Sequence, residues 1–346
     1  VLIGAHVGAA GGLQLSLKRG AEIGAEVIQI FTQSPRTWSV VHHAQAELDA
    51  YYRAQVEFPT VKAVFCHASY LINLCSSDPS ILSSSRDVLS ANLVVATQLR
   101  SCGVVLHVGS HKGHGLSSCL DQVTAEIGRS VESAAVELER AAQQLKGNLP
   151  TAHEVSSNIR ALESGHSKRT SQEPGSPGMS SRGWDGTSAG SEVVPLLLEN
   201  TAGAGGTIGR SLEELSTILE ALDKTEIGVR PGICLDTQHL WASGVSYSTP
   251  DEVDHLLHRV EKLIGLDRLG CIHLNDSKTP LGSERDRHEN LGKGMIGEHS
   301  LALLIGHPKL QSVPVILEVP GGGSGPDRDQ IGIARHIHEL GCSMWR

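Results

Sequence analysis

No run of 18 uncharged apolar residues occurs in the chain, so no transmembrane helix and no membrane partner are expected. Paired cysteine motifs are missing too. The seven cysteines (Cys66, Cys75, Cys102, Cys119, Cys234, Cys271 and Cys342) are odd in number and scattered, with no Cys-x-x-Cys, which reads against a disulfide framework or a thiolate metal site. They are expected to be reduced and mostly buried, in an intracellular protein, with Cys66, Cys234 and Cys271 packing inside apolar strands. Positive charge is scarce: 29 Lys and Arg stand against 38 Asp and Glu, a net charge of -9 and a pI near 6.0. Most nucleic-acid-binding proteins carry a basic surface instead. A cluster of bound divalent cations would nevertheless reverse the sign locally, where a phosphate would sit. The glycine-rich run Gly321 to Gly325 lacks the Gly-Lys-Ser/Thr of a phosphate-binding loop and reads as a flexible connection. The chain begins at Val1 already within a strand pattern, as a fragment or processed form would.

At 346 residues there is room for one large barrel or two ordinary domains. Short β-type runs alternate with longer helical patterns, eight of each. The strands are expected at Val1 to Val7, Glu26 to Thr32, Ala63 to Ala68, Val104 to Val108, Val194 to Asn200, Gly232 to Asp236, Leu269 to Asn275 and Val313 to Val319. Helical spacing of three and four marks segments such as Gly12 to Gly24, Ala44 to Val56, Ser83 to Ser101, Ser118 to Leu145, Ser211 to Leu222 and Pro250 to Ile264. Ser211 before Glu213-Glu214, and Thr249-Pro250-Asp251-Glu252, are helix-start signals. Eight β/α units imply an α/β fold, a closed (β/α)8 TIM barrel formed as a single domain over 1–346. From 147 to 192 the composition turns to Ser, Gly, Pro and isolated charges, a low-complexity insertion between the fourth helix and the fifth strand. It has too little apolar surface to offset its ordering entropy, so disorder is expected, with a short helix near Val155 to Leu162 and with His166 and Trp184 solvated.

Most of the strands end in metal-ligand chemistry. The patches are VFCHA (His67), VVLHVG (His107), PLLLEN (Glu199), ICLDTQH (Asp236 and His239), CIHLND (His273), ERDRH (Asp286 and His288) and VILEV (Glu318). Neutral imidazoles and carboxylates bind Zn²⁺ or Mn²⁺, and a strand-end carboxylate can bridge two ions. Taken singly, a strand-end His is more often a hydrogen-bonded structural residue. Together the patches read differently, because Glu199 and Glu318 close long apolar runs where an unpaired carboxylate is costly to bury. In TIM barrels the active site lies at the C-terminal ends of the strands, and these residues are placed there. The pattern implies a multi-metal site.

Gly4-Ala5-His6-Val7, Phe31-Thr32 followed by Arg36 and Trp38, His67-Ala68-Ser69-Tyr70-Leu71-Ile72-Asn73-Leu74, His107-Val108-Gly109-Ser110-His111, Glu199-Asn200-Thr201-Ala202-Gly203, Asp236-Thr237-Gln238-His239, His273-Leu274-Asn275-Asp276-Ser277-Lys278 and Asp286-Arg287-His288 resemble the endonuclease IV family of apurinic/apyrimidinic endonucleases. The likeness runs in unbroken order to the region of Glu318, except for the insertion. The resemblance implies three zinc ions: His67, His107 and Glu199 on the first; Glu199, Asp236, His273 and Glu318 on the second; His239, Asp286 and His288 on the third. It implies that Glu199 and Glu318 are catalytic, Glu199 by bridging two ions and Glu318 as a ligand that also orients or deprotonates the water. Arg36, Tyr70 and Leu71 match the side chains that enter the DNA. The implied reaction is hydrolysis of double-stranded DNA 5′ to an abasic site, in base excision repair, leaving a 3′-hydroxyl and a 5′-deoxyribose phosphate, with trimming of blocked 3′ ends. A monomer is expected, in the nucleus, the cytoplasm or a DNA-containing organelle.

Two residues next to ligands depart from the family pattern: Val108, where proline is usual, and Gln238, where many members have cysteine. The insertion is not typical of the family either. A metal-dependent sugar isomerase or epimerase of the same barrel class is the alternative. It would use Glu199, Asp236, His273 and Glu318 but leave His67, His107, His239, Asp286 and His288 without a role.

Overall fold

The computed structural model describes residues 1–147, 192–225 and 227–346. Eight parallel strands close into a barrel: β1 (Ile3–His6), β2 (Val27–Phe31), β3 (Ala63–His67), β4 (Val104–Leu106), β5 (Leu196–Glu199), β6 (Gly232–Asp236), β7 (Leu269–His273) and, completing the ring between β7 and β1, β10 (Val315–Leu317). The two intervening strands, β8 (Asp276–Ser277) and β9 (His288–Glu289), form a small antiparallel hairpin outside the barrel. All eight expected barrel strands are present. Most are shorter than their apolar runs, because the last residues of several runs leave the sheet to line the barrel mouth.

Helices α1 (Gln14–Ile23), α2 (Gln45–Glu57), α3 (Pro79–Gln98), α4 (Leu120–Gly147), α5 (Leu212–Asp223), α6 (Thr237–Ala242), α7 (Pro250–Leu263), α8 (Gly297–Ile305) and α9 (Arg328–Met344) account for the helical patterns among the described residues. Ser211 caps α5 by accepting from the Glu214 N–H, and Thr249 with Glu252 closes a capping box on α7. Helix α3 begins four residues before the expected Ser83, because Asp78 caps it and Pro79 occupies its first turn. The short α6 was not legible as a helix: it spans six residues directly after β6, started by the Asp236 side chain. Helix α4 continues through Gly147, where the insertion was expected to begin. The remaining expectations for 147–192 (disorder, the helix at Val155 to Leu162, and solvated His166 and Trp184) lie outside the described residues.

The packing has two layers. Outward strand residues such as Ile28, Val64, Leu106, Leu198 and Leu317 join the helices in one large cluster. Inward residues Val27, Phe65, Val105, Leu197, Cys234, Cys271 and Ile316 fill the barrel lumen. The corresponding inward position of β1 is Gly4, where a Cβ would stand 1.6 Å from the Val27 carbonyl oxygen, so no larger residue fits. Among the described residues no helix is long and apolar enough to cross a membrane.

The cysteine expectation is corrected at one pair. Cys75 and Cys119 form a disulfide, with Cα atoms 5.5 Å apart and a sequence separation of 44. Spacing could not reveal it, since the loop after β3 meets the start of α4 only in the folded chain. Gln122 of α4 donates to the carbonyls of Leu74 and Ser76 and holds that junction together. The other five cysteines are free, with Cys66, Cys234 and Cys271 buried as expected and Cys102 exposed. Burial pushes the Cys66 thiol up to about 12. The Gly321 to Gly325 run is a pinned turn: Asn290 donates to the Gly321 carbonyl and accepts from its N–H, at 3.0 and 2.8 Å.

Candidate metal centre at the barrel mouth

Side chains alternate along a strand, so the residue two positions beyond an inward apolar residue also points inward. Beyond Phe65, Val105, Leu197, Cys234, Cys271 and Ile316 stand His67, His107, Glu199, Asp236, His273 and Glu318. Beyond Gly4 and Val27 stand His6 and Gln29. A polar ring thus lies directly above the apolar lumen, at the C-terminal end of the strands.

Glu199 is fully buried at the centre of this ring. Its Oε2 lies 3.2 Å from Nε2 of both His67 and His107, while its Oε1 lies 3.1 Å from His273 Nδ1 and 3.3 Å from His239 Nδ1. Glu318 Oε2 is 3.3 Å from His273 Nδ1. His239 Nε2 and His288 Nε2 approach the two oxygens of Asp286 at 3.4 and 3.2 Å. The loop between β8 and β9 brings Asp286 over the mouth. All nine ligand-type residues singled out in the sequence therefore converge. Eight of them form overlapping groups of donor atoms lying within 4.8 Å of one another: His67, His107 and Glu199; Glu199, Asp236, His273 and Glu318; and Asp236, His239 and His288, with Asp236 in the place expected for Asp286, which instead pairs singly with His239 and His288.

The four acidic groups find their charge partners here in histidines. Among the described residues, every ion pair of Glu199, Asp236, Asp286 and Glu318 is to an imidazole, none to Lys or Arg. The protonation equilibria reflect that crowding. Burial opposes charge on His239, His273 and His288, but the carboxylates outweigh it. Asp236 and Asp286 hold His239 well above the imidazole range, Glu318 and Glu199 do so for His273, and Asp236 and Asp286 push His288 up to about 9. Conversely, burial would raise Glu199 and Glu318, yet neighbouring imidazoles hold both well below the usual carboxylate range. Burial would raise Asp286 as well, but His239 and His288 hold it down. For His107 and His6 burial prevails, and both are lowered.

The hydrogen bonds behind the ring suit cation ligation. His67 Nδ1 lies 2.7 Å from the Ala68 carbonyl and His239 Nδ1 lies 2.9 Å from the Asn200 carbonyl; a carbonyl only accepts, so in the neutral ring that ligation requires Nδ1 carries the proton and Nε2 keeps its lone pair. His288 Nε2 is buried without a hydrogen-bond partner among the described residues while aimed at Asp236 and Asp286. A metal ion would satisfy an orphaned ring nitrogen that faces two carboxylates. Asn275 donates to Asp236 Oδ2 at 2.6 Å and accepts from the Glu318 N–H at 2.9 Å, tying two of the acidic residues together. The donor set, imidazole nitrogens and carboxylate oxygens, fits zinc.

Arg36 and Tyr70 are exposed on the loops after β2 and β3, and Leu71 is half-buried. Ser69 Oγ donates to the Pro35 carbonyl at 2.9 Å, coupling the two loops. Gly109 has a φ of 123°, and a Cβ there would meet Asn73 Oδ1 at 2.3 Å; this close approach lets Asn73 accept from the N–H groups of Cys75 and Ser110 and shape the Tyr70 loop. Gln238 spans to Ser277 Oγ and the Arg285 carbonyl, so it braces the loop that carries Asp286. Sequence reasoning missed the site roles of His6 and Gln29. The signal was the two-residue parity along β1 and β2.

A (β/α)8 barrel that gathers this donor set at its C-terminal mouth belongs to the class of TIM-barrel enzymes with clustered metal-type sites. A family model described as a xylose isomerase-like TIM barrel matches residues 17–337, and the probable endonuclease 4 of Halorhodospira halophila is 34% identical over 323 residues, covering 93% of this chain and 89% of that protein. The chain belongs to the endonuclease 4 family, DNA-cleaving hydrolases of the apurinic/apyrimidinic endonuclease type. Endonuclease IV from Thermus thermophilus has the same fold, with a TM-score of 0.70 at 24% identity over 99% of this chain and 100% of that one. A D-tagatose 3-epimerase-like protein also has it, with a TM-score of 0.61 at 15% identity over 100% and 98% of the two chains, a likeness of fold alone.

Proposed function

We propose that the chain is a zinc-dependent repair endonuclease that hydrolyses the phosphodiester 5′ to an abasic site in double-stranded DNA. The products are a 3′-hydroxyl and a 5′-deoxyribose phosphate, and blocked 3′ ends are trimmed at the same centre. The observation that carries this reading is the buried Glu199 carboxylate, which has imidazole nitrogens on both oxygens and, reached through His239, a second group of His239, Asp286 and His288 beside it. A sugar epimerase of this barrel class has no use for that second group.

In this reading three zinc ions would be held by His67, His107 and Glu199; by Glu199, Asp236, His273 and Glu318; and by His239, Asp286 and His288. Bound zinc supplies Lewis-acid polarisation of the phosphoryl oxygens, a lowered pKa for the attacking water and stabilisation of the leaving oxygen. Glu199 would be common to the first two ligand sets. Glu318, ionised because His273 holds its pKa down, would orient the water and accept its proton. Arg36, Tyr70 and Leu71 occupy the space of the missing base once the abasic nucleotide is turned out of the stack. The acidic chain binds an anionic duplex because three divalent ions add about +6 at the mouth. The protein works as a monomer.

The test is cleavage of a duplex carrying one tetrahydrofuran abasic analogue, with and without EDTA, alongside elemental analysis of zinc. The analogue cannot undergo β-elimination, so a 3′-hydroxyl product that EDTA abolishes, with about three zinc per chain, supports hydrolysis. An intact strand at full zinc loading would sink the proposal.

A further inference from the structure

Within the polar ring, one inward residue carries neither charge nor imidazole. Gln29, on β2, is fully buried above an apolar lumen, where an aliphatic side chain would pack without any polar group to satisfy. Its amide is satisfied on both sides. A carboxylate only accepts, so the amide atom 2.7 Å from Glu318 Oε1 is the NH2 group. The amide oxygen then faces His273 Nε2 at 2.9 Å, and that ring nitrogen must carry the proton. The second amide hydrogen points to His6 Nδ1 at 3.1 Å. With Nε2 protonated, the neutral His273 ring has its lone pair on Nδ1, the atom 3.1 Å from Glu199 Oε1 and 3.3 Å from Glu318 Oε2.

We infer that Gln29 is a positioning residue for the metal centre: it selects the tautomer and ring plane of His273 and the rotamer of Glu318, so that both present to the same divalent cation. The inference rests on the zinc reading above. His67 and His239 obtain the same service from backbone carbonyls, whereas His273 obtains it from a side chain on a strand 244 residues away. The bond from Gln29 to Glu318 spans 289 residues and ties β2 to the end of β10 across the intervening β1. One amide thereby orients a nitrogen ligand and an oxygen ligand at once. Outer partners of this kind alter metal affinity by about 10- to 100-fold when removed.

Gln29→Met tests the idea, since it keeps length and bulk but supplies neither the donors nor the amide oxygen. Zinc-loaded wild type and variant are titrated with a competing chelator, released zinc is read with a metallochromic dye, and circular dichroism reports the fold. The expected result is one zinc per chain released at about 10- to 100-fold lower chelator in the variant, with the other ions unmoved. A residue that merely fills space predicts unchanged midpoints. A second measurement needs no variant: nitrogen-15 chemical shifts of the zinc-loaded wild type should report His273 as protonated at Nε2 and ligating through Nδ1. Unchanged release of zinc from a folded Gln29→Met protein, or the opposite His273 tautomer in the wild type, would overturn the inference alone. A wild-type protein that binds no divalent ion would overturn the zinc reading with it.

Discussion

The phenol ring of Tyr70 stands edge-on to the imidazole of His67, with ring centroids 5.4 Å apart, while Tyr70 remains 54% exposed. A residue of the candidate DNA-contacting loop thus rests directly on a residue of the candidate metal centre. Tyr70→Ala should weaken binding of an abasic duplex by about 10-fold, in the range of an aromatic–base stacking contact, while zinc content stays at the wild-type level. Fluorescence anisotropy with a labelled duplex and elemental analysis on the same samples check both halves. Wild-type affinity in the variant would remove Tyr70 from the DNA-contacting set.

Glu318→Gln preserves shape and removes the carboxylate's charge and basicity. Cleavage of the abasic duplex should fall by at least about 100-fold, with binding still measurable. Single-turnover gel assays give the rate and anisotropy the affinity. Cleavage at the wild-type rate would rule out a catalytic part for this residue.

Zinc removal should leave a protein with an unusual pH profile. His288 sits at about 9 in the folded chain against an ordinary value of 6.5, and His239 and His273 are raised in the same sense. A histidine raised on folding contributes its full stability below about pH 6.5 and loses it as the pH climbs through the folded value. The melting temperature of the stripped protein should therefore fall between about pH 6.5 and about pH 9. The zinc-loaded protein should change in the opposite sense, because ligation requires unprotonated imidazoles. Calorimetry of both forms across that interval measures the widening gap; a stripped protein whose melting temperature rises with pH would contradict the electrostatics described for the ring.

The Cys75–Cys119 bond closes a loop of 44 residues that contains all of α3. On chain entropy alone its loss should cost up to about 4 kcal/mol. Denaturant unfolding of Cys75→Ser against the oxidised wild type gives the figure, and adding a dithiol should bring the wild type to the level of the variant. Equal stability in all three samples would mean that the bond does not persist in solution.

The barrel was readable because its information is local. Each strand is a short apolar run, each helix shows its own three-four spacing, and caps such as Ser211 and Thr249 precede their helices by one residue. Six of the nine ligand-type residues were readable for the same reason, since His67, His107, Glu199, Asp236, His273 and Glu318 each close an apolar run and stand out when taken together; His239, Asp286 and His288 were read from their close spacing and from the family resemblance. His6 and Gln29 were not singled out for site roles. Their inward direction follows only from parity within β1 and β2, and an uncharged amide raises no alarm in a sequence.

What the sequence by itself determined is the succession of elements and the chemistry carried at each strand end, since both depend on neighbours within a few residues. Closure of the ring was decided by tertiary structure, when β10 inserted between β7 and β1 and brought Glu318 within 2.7 Å of Gln29 and 3.3 Å of His273. The tertiary structure also decided the tautomers of the histidines, the bond between Cys75 and Cys119 and the coupling of the Arg36 and Tyr70 loops through Ser69. Most of these depend on a partner dozens to hundreds of residues away. The physical reason is directional: hydrogen bonds and ligand sets require atoms within about 3 Å in fixed orientation, and sequence spacing carries no such distance until the chain has closed on itself.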